Sequence, residues 1–220
     1  MPQEERYCLH SVSVVVTAEF HNPSILNPDF LKSQGIVPTD WEPTLAITTP
    51  QFSNIRFHNG IEWTVDQSKL TVVETCESQF QDSYLAYDLV VSYIRRLPHV
   101  PYRSLGLNFV VATTTDEPQQ WLTEQYLKDG VWLHGEPAVR SMVPKFTFEA
   151  DEGVLCILSL DAGLSKLGDH QPVPSVIANC NLHHEGPLDA GALSDAIGRW
   201  PKRQEFVIAA LDRLLASKQT

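Results

Sequence analysis

SVSVVVTAEF, residues 11–20, is the stretch on which the fold turns. Val12, Val14, Val16 and Ala18 fall on one side of an extended chain, and Ser11, Ser13, Val15 and Thr17 on the other. Side chains alternate along a strand, so this run reads as a half-buried β-strand. The same alternation returns further on, where Leu105, Leu107, Phe109 and Val111 interleave with Gly106, Asn108 and Val110. After each run the chain follows one plan: a short helical connection, a meander of hairpin-linked strands, then a longer amphipathic helix. Residues 10–98 hold the first pass and 104–217 the second.

Working outward, Asn27-Pro28-Asp29 predicts a helix start, with Asn27 as N-cap and Pro28 in the first turn. Gly35 supplies its stop. Residues 44–74 read as strand throughout, broken at Pro50 and turned at His58-Asn59-Gly60, where Asn-Gly predicts a type I′ hairpin. Residues 84–97 have helical spacing through Tyr87, Val90, Ile94 and Leu97. In the second pass a helix is expected over 117–127 and strands over 140–150, 154–160 and 175–183. Asp151-Glu152-Gly153 supplies a further hairpin turn, and 163–168 reads as a surface loop. Helix closes the chain over 189–215, and Pro201 either starts a new helix there or kinks one.

The expected fold is therefore α+β. It is a large twisted antiparallel sheet built from two pseudo-repeated β-α-β-meander-α halves, with helices packed on one face. The halves, 1–102 and 103–220, share one core as a single bilobed domain. Hydrophobic content of 43% and charged content of 20% suit a globular chain with a sizeable core. Residues 1–102 carry 12 acids against 6 bases and 103–220 carry 15 against 10, so the net charge of −11 is shared between the halves. That balance disfavours phosphate backbones. No stretch is apolar enough to span a membrane, and the acidic start MPQEERYC is unlike a secretory signal, so a cytoplasmic location is expected. Cys8, Cys76, Cys156 and Cys180 form no CxxC pair and read as free thiols.

Candidate chemistry is sparse. Cys180, His183, His184 and Glu185 resemble metal-ligand material, yet alternation puts Cys180 and His183 on opposite faces of their strand. No nucleophile elbow, phosphate loop or dinucleotide fingerprint is present. The reading assigns no catalytic, cofactor-binding or metal-binding residue. Two basic patches stand out: Arg95, Arg96 and Arg103 with His99, and Arg199, Lys202 and Arg203. Helices are too few to cover both faces of a sheet of about seven or eight strands, which leaves one face open. Phe57, Trp63 and Trp132, with Trp41 in a loop, are the aromatic candidates for an exposed docking surface. The leading expectation is a non-catalytic interaction or assembly subunit that uses the open sheet face or an edge to dock a protein partner or a second copy of itself. Two rival expectations stand beside it. One is a nucleic-acid accessory factor using the basic patches; the other is a small-ligand or metal-dependent enzyme with a site near His183 and His184.

One resemblance rests on the Asn22-Pro23…Asn27-Pro28-Asp29-Phe30 punctuation, the Phe57-His58-Asn59-Gly60-Ile61…Leu70 meander and the Arg103-Ser104-Leu105-Gly106-Leu107-Asn108-Phe109 strand. Their order resembles a sporadically distributed prokaryotic family of conserved hypothetical proteins. The resemblance implies the same succession of elements and, from patchy distribution, carriage on mobile or defence-type loci. It brings no catalytic residues with it. The duplicated plan also looks like the saddle shape of TATA-binding-type folds.

Overall fold

The computed structural model describes residues 6–150, 153–166, 171–186 and 188–216. Strand β1 (Cys8–Ala18) leads through a 3₁₀ turn (Pro23–Ile25) and helix α1 (Pro28–Ser33) into four hairpin-linked strands. These are β2 (Pro43–Thr48), β3 (Phe52–Phe57), β4 (Ile61–Asp66) and β5 (Lys69–Ser78), followed by helix α2 (Leu85–Arg96). Strand β6 (Tyr102–Thr114) then leads through α3 (Pro118–Tyr126) and α4 (Val131–His134) into β7 (Lys145–Glu149), β8 (Leu155–Ser165) and β9 (Val173–Glu185). Helices α5 (Ala190–Gly198) and α6 (Trp200–Leu214) close the chain. All nine strands join one sheet in the order β2-β3-β4-β5-β1-β6-β9-β8-β7. Every pairing is antiparallel. The sheet has nine strands against the expected seven or eight, and the break expected at Pro50 separates β2 from β3.

Local chemistry accounts for most boundaries. Asn27 Oδ1 accepts the Phe30 amide at 2.8 Å, capping α1 behind Pro28, and Gly35 ends the turn at φ +65°. Helix α2 has no side-chain cap of its own at Tyr84; instead Glu74 reaches across from β5 and its Oε2 accepts the Ala86 amide at 2.9 Å. Asp66 Oδ1 accepts the amides of Ser68 and Lys69 and so closes the β4–β5 hairpin. Pro201 stands in the first turn of α6, so it starts a new helix rather than kinking a long one.

Three expectations are corrected. Only Gly60 of the Asn59-Gly60 pair has positive φ, +82°, and the loop spans residues 58–60. This is a three-residue connection ending in a left-handed glycine, not a type I′ turn. The expected strand over 140–150 shrinks to Lys145–Glu149, because Pro144 has no amide to give the ladder. In the other direction, Gly163, Leu164 and Ser165 are strand rather than loop, paired with Ser175, Pro174 and Val173. Asp151 and Glu152 of the hairpin turn, and Leu167 and Gly168 of the expected loop, lie outside the described residues.

Register decides which face is core. Ile55, Trp63, Val72, Val14, Leu107, Leu182, Cys156 and Phe148 form one continuous row across eight neighbouring strands. All but Phe148 are at most 2% exposed. Helices cover this face. Tyr93 of α2 packs on Trp63 at 5.7 Å, Tyr126 of α3 on Phe146 at 5.3 Å, and Phe206 of α6 on Phe148 at 6.3 Å. Phe57 and Trp63 are thus 3% and 0% exposed under the helix layer, not on an open face as expected. Alternation groups them with Ile55 and Val65, and register carries that whole group to the covered side. No helix among the described residues is long and apolar enough to cross a membrane.

Candidate interaction surface on the uncovered sheet face

Among the described residues no helix packs on the opposite face, and three parallel rows of side chains run across it. One row reads Thr71, Val15, Gly106, His183, Leu155 from β5 through β1, β6 and β9 to β8. The next reads Val73, Ser13, Asn108, Asn181, Ile157, and the third Thr75, Ser11, Val110, Asn179, Ser159. None of these fifteen positions is Asp, Glu, Lys or Arg, in a chain that is 20% charged. Charges return on the flanking strands, as Arg56 and Glu62 on β3 and β4 and as Lys145 and Glu149 on β7, and past the two ends of the stripe, as Lys69 on β5, Glu185 on β9 and Asp161 on β8. Val15, Val73, Val110 and Ile157 are only half-buried, whereas Val14 and Val72 directly behind the sheet are fully buried. Apolar strand residues keep that exposure only where nothing packs on them.

A cross-strand ladder organises the middle of this stripe. Asn108 Nδ2 donates to Ser13 Oγ at 3.1 Å, and Asn181 Nδ2 donates to the side-chain Oδ1 of Asn108. Thr17 and Ser104 hydroxyls meet at 2.6 Å two rows towards the strand ends. Gly106 lies between these groups, where an added Cβ would stand 3.2 Å from Asn181 Nδ2 and 3.6 Å from Val15 Cβ. The side-chain amides of Asn108 and Asn181 are therefore oriented by this ladder, with Gly106 leaving room beside them. Beyond the Thr17–Ser104 row a groove of about 940 Å³ opens, lined in part by Glu19, Pro98, Arg103, His183 and Glu185. Within it Arg103 and Glu19 pair at 2.8 Å and His183 and Glu185 approach to 3.5 Å, the Arg103, Glu19 and Glu185 side chains largely in solvent.

The residues singled out from sequence scatter over the molecule. Trp41 is half-buried, its ring 5.3 Å from Phe57. Trp132 is 44% exposed, and its indole donates to the Lys128 carbonyl at 2.8 Å. Arg95 and Arg96 stand exposed in the last turn of α2. Arg199 and Lys202 are exposed at the other end of that helix, where Trp200 stacks on Tyr87 at 5.1 Å. Arg203 is 5% exposed and its burial pulls the guanidinium below its ordinary range, which removes it from the second patch. Tyr87 and Arg95 are eight residues apart in α2, so its helical rise separates the two patches by about 12 Å.

His183 lies on the open face and Cys180 and His184 on the covered one. Among the described residues no three His, Cys, Asp or Glu side chains converge as ion ligands. Burial pushes the Cys156 thiol up to about 11 and Cys180 well above its ordinary value, so neither is a ready thiolate. Ser165 Oγ lies 2.8 Å from His10 Nε2, but the hydroxyl belongs to a residue only 3% exposed. Sequence reading passed over Ser13, Asn108 and Asn181, although their lack of charge was visible in the strands. Only register shows that they lie side by side. No protein-family model matches the chain, and neither does any curated protein.

Proposed function

We propose that this chain is a non-catalytic protein-interaction subunit that docks a partner protein on the uncovered sheet face. The observation that carries the reading is the charge-free stripe over β5, β1, β6, β9 and β8. Interface cores are depleted of charged residues, while an ordinary solvated sheet face carries many. The partner's matching surface is broad and uncharged, with hydrogen-bonding groups facing the Ser13–Asn108–Asn181 ladder. A phosphate backbone finds no cation on the stripe, which favours protein over nucleic acid. The same reading takes 1–102 and 103–220 as two pseudo-repeated halves. It is supported by β1 and β6, which start the two passes and lie side by side at the seam.

Affinity capture with matched variants tests the proposal. Asn181→Lys places a charge in the middle of the stripe, and Lys202→Glu changes an exposed charge on the helix side. A partner retained by wild type and Lys202→Glu but lost by Asn181→Lys supports the reading, provided its binding slows amide exchange in β1, β6 and β9. Binding that survives Asn181→Lys and fails in Lys202→Glu overturns it. A complex that weakens steeply with salt and contains nucleic acid overturns it as well.

A further inference from the structure

The two edges of the sheet are built differently. At one end β7 carries Lys145 and Glu149 on the open face. Charged side chains of this kind are a common guard against strand addition. At the other end β2 carries none, and residues 43–55 run thirteen positions without Asp, Glu, Lys or Arg. Residues 44–52 are exposed throughout, with Leu45 37%, Ile47 44% and Phe52 40% exposed. Strand β2 pairs with β3 on one side only, so alternate amides and carbonyls of its outer side have no strand to meet. An uncharged, β-branched edge of this length is a template for another extended backbone.

We infer that β2 pairs antiparallel with β2 of a second copy of this chain, joining two sheets edge to edge about a two-fold axis near Ala46. The strand is suited to itself. Pairing centred on Ala46 sets Leu45 opposite Ile47 of the second copy and Thr44 opposite Thr48, and Pro43 then faces Thr49. Apolar and threonine pairs of this kind stabilise antiparallel ladders. No charge opposes a charge within the strand, although each chain carries −11 overall. An axis perpendicular to the sheet keeps both helix layers on one side and makes the two open faces continuous. One strand pair buries less than a standard interface, so the dimer is reversible and concentration-dependent. This surface is distinct from the charge-free stripe, and the two stand or fall separately.

Sedimentation equilibrium of the whole chain over a concentration series, with amide exchange at its two ends, is the test. The expected result is a monomer–dimer equilibrium in which amides of residues 44–48 exchange more slowly as concentration rises. Leu45→Lys and Ile47→Lys, made separately, are each expected to weaken dimerisation at least tenfold with unchanged circular dichroism, while Asn181→Lys leaves it intact. A chain that stays monomeric at every concentration overturns the inference. So does a dimer whose 44–48 amides are unprotected, or one lost by Asn181→Lys instead.

Discussion

At the scale of single residues, two buried groups have consequences out of proportion to their size. Glu74 is half-buried in β5, yet its carboxylate caps α2, a helix that supplies Tyr87, Val90, Tyr93 and Ile94 to the core. Desolvation raises its pKa above the ordinary carboxylate range despite the amides of Ala86 and Leu85, which favour the charged form. Glu74→Ala removes a side-chain partner of those amides and is expected to cost about 1 kcal/mol in denaturant unfolding. His21 is 1% exposed, and its burial lowers the imidazole pKa below the ordinary 6.5. The folded chain therefore binds that proton more weakly than the unfolded chain. Stability from this site is full above the unfolded value and falls as pH drops below it toward the folded one. Melting temperature is expected to decline between about pH 7 and about pH 5, and His21→Gln to flatten that decline. A slope unchanged by His21→Gln would place the effect on other groups.

The elements show how one strand serves two environments. Val14 and Val15 are neighbours in β1, but Val14 is fully buried under α2 while Val15 faces the open side and is half-buried. Val14→Ala removes buried methyl groups and leaves a void, for an expected loss of about 2 kcal/mol. Val15→Ala is expected to cost well under about 1 kcal/mol, since little surface there is withdrawn from water. Chemical unfolding of both variants checks this. Equal losses would mean that something covers the open face. The hairpin joining β3 to β4 shows a different dependence. Gly60 holds φ +82°, and a Cβ there would stand 3.3 Å from Thr75 Cβ. Gly60→Ala is therefore expected to destabilise by about 1 kcal/mol or more. The need for a glycine at this turn was plain in Asn59-Gly60, but its geometry was not, since loop length is set by where β3 and β4 stop pairing.

For the whole molecule, charge and shape act together. A net charge of −11 repels a second copy at long range, and the uncharged β2 edge is the place where close approach meets no like charge. Salt screens the first effect and leaves strand pairing almost untouched, because the Debye length shortens from about 30 Å at 0.01 M to about 8 Å at 0.15 M. Dimerisation is therefore expected to strengthen as salt rises over that range, as read by sedimentation equilibrium. Weakening with salt would mean that opposite charges hold the copies together.

By itself the sequence determined most of the elements and which residues of a strand share a side, as Val12, Val14 and Val16 against Ser13 and Val15 illustrate, because alternation is a local property of extended backbone. Capping at Asn27 and the glycine stop at Gly35 were legible for the same reason. Tertiary structure alone decided that β1 and β6 lie side by side, that Trp63 is covered, and that Ser13, Asn108 and Asn181 share one ladder. Those facts depend on register between strands as much as 168 positions apart in the chain, from Ser13 to Asn181. Backbone hydrogen bonds form alike in any register, so the choice falls to turn geometry and to packing of apolar rows contributed by distant strands, which no local stretch of sequence displays.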